Sequence, residues 1–178
     1  LMAENDFATN GNDGMFMIQN TRWMMGTEWR LGYHDKHGYE TETHLGRYLG
    51  KMQWLMPFIG FDWRYRKFDM DEMGMIKYEK NIFGQTNTKD NRQQFSLGLA
   101  YTLPMLFILQ TEVYHDGNLR VQLMREDIPI AKRVRASLML NTDKEYMAGL
   151  KYIVNKNLGM NLHYDSDMGL GIGLILNY

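Results

Sequence analysis

From Thr21 to the last residue, apolar and polar side chains alternate in run after run. The final ten residues show it most plainly. Leu170, Ile172, Leu174, Leu176 and Tyr178 take every second position, and Gly169, Gly171, Gly173 and Asn177 fill most of the gaps. A strand sends alternate side chains to opposite faces, so this one has an apolar face and a small or polar face. On a soluble sheet the apolar face would lie on a core. In a membrane barrel it would meet lipid.

The same pattern recurs upstream. Trp23, Met25, Thr27, Trp29, Leu31 and Tyr33 alternate with Met24, Gly26, Glu28, Arg30, Gly32 and His34. Residues 39–49 follow less cleanly. Ile59, Phe61, Trp63 and Tyr65 then oppose Phe58, Gly60, Asp62 and Arg64. Runs over 95–103, 107–113, 119–123, 134–140, 146–154 and 158–164 precede the closing strand. Asp116-Gly117-Asn118 is a strong hairpin turn between two of them. The reading is about ten strands of roughly 8–13 residues, a length that crosses a bilayer when tilted. Eight or twelve strands are the alternatives. Residues 1–20, rich in Asn, Gly and Asp, read as an irregular segment, and 21–178 as the barrel. Residues 67–92 read as a long extracellular loop with room for one extra hairpin.

What sits between the apolar positions selects the architecture. The second faces carry Glu28, Arg30, Glu40, Glu42, Asp62, Arg64, Arg66, Glu112, Arg120, Glu126, Arg135 and Lys151. The alternative, a soluble sandwich or lipocalin-like barrel, would need the opposite faces, crowded with Trp, Tyr and Leu, to pack together as a core. A narrow lumen filled with paired charge accounts for both faces at once. The expected fold is therefore an all-β, antiparallel, up-and-down transmembrane barrel. The tail resembles the C-terminal strand of bacterial outer-membrane barrels, which implies the bacterial outer membrane and its lipid bilayer as the setting. An even strand count puts both termini on the periplasmic side, with Pro104, Pro129 and Asn155-Lys156-Asn157 at periplasmic turns.

Bulk properties narrow the function. The net charge of −1 gives no argument for nucleic acid. Mean hydropathy is −0.46, which a barrel tolerates because half of each strand faces a polar interior. No basic-then-apolar leader opens the chain, and Leu1 reads as the inside of a longer one. There is no GxSxG, HExxH or Gly-rich phosphate loop, and no Cys for a nucleophile, so no enzyme is expected.

With no Cys, the soft ligands are 16 Met, joined by five His, a composition that suits copper. The candidate ligands are Met24, His34, Met70, Met73, Met75, Met147 and His163. The bland reading makes each Met an apolar filler and each His a hydrogen-bonded strand-end residue.

One family likeness points the same way. The stretch from Glu112 to Leu123, then Asp127-Ile128-Pro129-Ile130 and Tyr146 to Tyr152, resembles the copper-resistance protein B outer-membrane family. Gly149-Leu150-Lys151-Tyr152 stands where that family has a "GLRLRY"-like strand. The likeness covers roughly residues 95–178. A weaker one links the chain to Bacteroidota barrel domains that follow multicopper-oxidase-like domains. The long Met/His-rich region expected before the family's barrel is short here. The resemblance implies an outer-membrane barrel in copper binding and tolerance, by sequestration or export. The paired inward charges of so narrow a barrel lead us to expect a plugged lumen rather than an open porin. The competing expectation is a structural barrel that docks an outer-membrane or periplasmic partner protein.

Overall fold

The computed structural model describes residues 1–33, 38–65, 79–87 and 91–178. Twelve strands close into one antiparallel barrel. They are β1 (Met2–Ala8), β2 (Gly11–Gln19), β3 (Trp23–Gly32), β4 (Tyr39–Arg47) and β5 (Leu55–Tyr65). After a small two-stranded hairpin, β6 (Glu79–Lys80) and β7 (Thr86–Asn87), the wall resumes. It continues with β8 (Asn91–Thr102), β9 (Ile108–Tyr114), β10 (Leu119–Ala131), β11 (Val134–Asn141), β12 (Tyr146–Ile153), β13 (Leu158–Asp165) and β14 (Gly169–Asn177). Each wall strand pairs with its neighbour in sequence, and β1 pairs with β14 to close the ring, Phe7 opposite Leu174. Closure leaves no unpaired edge.

The wall has two strands more than the favoured ten, and they come from the segment read as irregular. Residues 1–20 form β1 and β2. Their outward positions are weakly apolar: Asn5, Asn12 and Gly14 share that face with Phe7, Phe16 and Ile18. The polar atoms are paired locally. Asn12 donates to Asn5 Oδ1 at 2.7 Å, and the Trp29 indole N–H donates to Asn12 at 3.2 Å. The Trp29 ring lies where a Cβ on Gly14 would stand. One large ring on β3 thus covers two small or polar residues on β2, which hides the alternation from a reading of β2 alone.

The outer surface is apolar. Ile59, Phe95, Leu97, Leu150, Leu162, Ile172 and Leu174 are exposed in its middle. Trp23, Trp54, Tyr101, Tyr152 and Tyr178 ring the end that holds both chain termini, and Tyr33, Trp63, Tyr65, Tyr146 and Tyr164 ring the other. An apolar belt between two aromatic girdles is a surface made for hydrocarbon, not water. The terminus end also holds the Pro104 turn, and the described part of the β5–β8 connection, residues 79–87, lies at the far end. Part of that connection folds back: Ile82 N–H donates to the Thr142 carbonyl at 2.9 Å, and Leu119 N–H to Gln85 Oε1 at 3.0 Å. The extra hairpin therefore sits on the far rim, outside the wall.

Candidate functional site: the barrel lumen

Inward positions carry the charge that the sequence pattern assigned to them. Each inward row follows from strand register: Arg30 opposes Glu40, which opposes Arg64; Glu28 opposes Glu42, which opposes Asp62. Toward the far end, ion pairs cross the bore instead of running along the wall. Arg64 on β5 bonds Glu40 next door and donates to Glu145, at the start of β12, at 2.8 Å. Arg120 on β10 reaches Glu42 on β4 at 2.7 Å. Arg30 on β3 reaches Asp165 on β13 at 3.2 Å and Asp13 at 3.6 Å. Three guanidiniums thus tie opposite walls together. Each has carboxylate partners, as charges held away from bulk water require.

One side of the lumen is filled. On β3, β4, β5, β8 and β9, Met56, Phe58 and Ala100 form an apolar cluster with Met24, Tyr48 and Ile108 around it. Glycines make room: a Cβ on Gly98 would overlap the Phe58 ring, and one on Gly46 would lie 2.7 Å from the Met56 sulfur. The His44 ring meets Phe58 edge-on at 4.8 Å, and its Nε2 lies 3.8 Å from Glu112, the most deeply buried large side chain described.

The other side is open. A cavity of about 280 Å³ runs from Met2, Glu126 and Asp127 near the terminus end up to the Arg30, Arg64 and Arg120 tier. Glu28, midway along β3, is exposed to it. Lys151 crosses its lower part to Glu4 at 2.7 Å. A bulge in β10 adds an unexpected contribution. Arg125 opposes Leu138, but Ile128 already opposes Ala136, so β10 carries one extra residue there, and Asp127 adopts φ +52°. A bulge re-aims side chains, and here Glu126 and Asp127 both line the cavity although they are consecutive.

Of the expected metal ligands, His34, Met70, Met73 and Met75 lie outside the described residues. The other three are not gathered. Met24 is on β3 against the apolar cluster. Met147 and His163 occupy diagonal positions on β12 and β13, far around the wall. Both ring nitrogens of His163 already face amides, Nε2 at 3.2 Å from Asn10 and Nδ1 at 3.0 Å from Asn161. Glu42, His44 and Asp62 bring one ligand atom each within 4.8 Å of one another. Glu42, however, is bonded to Arg120, and Asp62 accepts from the Tyr114 hydroxyl at 2.8 Å, so the group reads as part of the charge network. Sequence reasoning missed the lumen residues of the first two strands, Glu4, Asp6 and Asp13, because those strands went unread. It also missed Asp127, because a bulge has no periodic signal.

No family model matches the chain, and no curated protein does. Solved structures do. One described as "KdgM porin" superposes with a TM-score of 0.54 at 9% identity, over 99% of this chain and 98% of that one. Another, "KdgM porin in complex with disordered oligogalacturonate", gives 0.52 at 10% identity over the same shares. At such identity the likeness establishes the fold. It also runs against the expectation of a copper-binding, non-porin barrel. Both of these fold neighbours are described as porins, and among the described residues the lumen is filled on one side and holds a cavity on the other up to the guanidinium tier.

Proposed function

We propose that this chain is a narrow channel of the bacterial outer membrane, a porin-type barrel that passes small hydrophilic solutes. The carrying observation is the one-sided lumen. A cavity of about 280 Å³, lined by charged and apolar side chains together, follows the wall of β10 to β14 and β1 to β3, with Glu28 exposed at mid-height. Water reaching a carboxylate midway through an apolar-belted barrel is what a conducting path requires. The outer belt and its two aromatic rows support the membrane setting. The porin neighbours support the same reading, and one of them is described with oligogalacturonate bound.

The cross-bore guanidinium tier makes the path narrow. Conductance is therefore expected to be small and well defined, below that of a wide, water-filled porin. Recording from the purified chain in planar bilayers tests this. Discrete, stable steps support the channel. Silence in bilayers whose protein shows heat-modifiable migration, and so is folded, overturns it.

A further inference from the structure

The charge on the lumen lining says which solutes such a path favours. Nine carboxylates and five permanent cations, Arg and Lys, line the cavity. Four of the cations are already matched: Arg30, Arg64, Arg120 and Lys151 each hold at least one carboxylate within 4.0 Å. The fifth, Arg135, turns to the main chain and donates to the Ala131 and Val134 carbonyls at 2.9 and 3.3 Å. Four lining carboxylates, Asp6, Glu28, Glu126 and Asp127, have no Arg or Lys partner among the described residues. Glu28, Glu126 and Asp127 are exposed to the cavity. They lie along the path, from the bulged mouth at the terminus end to mid-height. Paired charges largely cancel for a passing ion, whereas unpaired ones in a low-dielectric wall focus their field into the bore. Rings of Asp and Glu make cation-conducting pores by this means.

We infer that the pore is cation-selective, admitting small cationic and neutral solutes and excluding polyanions. The inference rests on the channel reading above and parts company with the oligogalacturonate ligand of one fold neighbour. A chain of uronic carboxylates would have to pass Glu126, Asp127 and Glu28, and among the described lining cations Arg135 alone has no carboxylate partner, its guanidinium being bonded to the main chain.

Reversal potentials in a KCl gradient across a planar bilayer test it, with the full chain folded and inserted. K⁺ is expected to permeate better than Cl⁻ by on the order of tenfold. The triple variant Glu28→Gln/Glu126→Gln/Asp127→Asn is expected to move the reversal potential toward zero. Oligogalacturonate added to either side is expected not to block the current. Conductance with Cl⁻ preference, with no preference, or with a reversal potential indifferent to the triple variant overturns the inference and leaves the channel standing. Absence of conductance from folded protein overturns the channel reading, and the inference falls with it.

Discussion

The two sides of the lumen are built from the same alternation and do different work. On the side of β4, β5, β8 and β9, glycines at 46, 60 and 98 let Met56, Phe58 and His44 lean across the wall and fill the interior. On the side of β10 to β14, the inward positions include Ser137, Gly149, Lys151 and Asn161, beside which a cavity stays open. The filled side carries stability through packing and buried ion pairs. The open side holds the cavity that the proposed path follows. The difference teaches that inward polarity alone does not decide whether a lumen fills. The size of the side chain facing each inward glycine decides it.

The strongest way to break this comparison is to remove charge from the crossing tier. Arg64 is 5% exposed, and its two partners, Glu40 and Glu145, are 13% and 7% exposed. Arg64→Ala leaves both carboxylates without their guanidinium in a confined space. The expected cost is about 3–5 kcal/mol, because breaking a buried pair leaves uncompensated charge. Guanidinium unfolding of the refolded barrel, followed by gel mobility, measures it. A loss below about 1 kcal/mol would mean that the tier is wet and that the filled side is not the rigid one.

A gentler pair of changes makes one substitution on each side. Gly98→Ala places a methyl group in the space of the Phe58 ring. Overpacking of this kind costs about 1–3 kcal/mol. Gly149→Ala places the same methyl 2.6 Å from the Ser137 hydroxyl, which can rotate away into the cavity, with His163 Cβ 3.6 Å off. Its expected effect lies within about 0.5 kcal/mol, as for a surface site. The same unfolding assay reads both, and equal costs would erase the distinction between the sides.

Much of this was legible in the sequence, for a physical reason. Where outward residues are large and apolar and inward ones charged, as over Trp63-Arg64-Tyr65 or Leu170 to Leu174, period 2 is unmistakable and face assignment follows from it. The inward positions of Arg30, Arg64, Arg120 and Glu42 were readable on those grounds. Illegible were the places where one residue's role depends on a neighbouring strand. Register turns Asn12 and Gly14 outward, and the Trp29 ring of the next strand covers them there. Asp127 enters the lumen only because β10 bulges. The long Arg64–Glu145 contact depends on closure of the whole ring. The expected copper ligands show the same limit. Composition supplied many thioethers and imidazoles, but Met24 lies in the apolar cluster, far around the ring from Met147 and His163, which are diagonal neighbours on β12 and β13.

A second small stability effect is expected on the open side, and it sharpens the comparison most. Lys151 and Glu4 pair at 2.7 Å, as tightly as Arg120 and Glu42, yet they are 22% and 31% exposed. Geometry alone would rank the two pairs together. Exposure separates them, because water screens the lower pair and solvates either partner left alone. Lys151→Ala is therefore expected to cost less than about 1 kcal/mol. The same change frees the Glu4 carboxylate and removes a cation from the cavity lining, which raises its surplus of negative charge. Stability should barely move while the reversal potential in a KCl gradient shifts further toward K⁺. Unfolding and bilayer recording on one preparation check both halves. A stability loss as large as that of Arg64→Ala, with no change in selectivity, would show that this pair belongs to the structural side of the barrel and does not face the path.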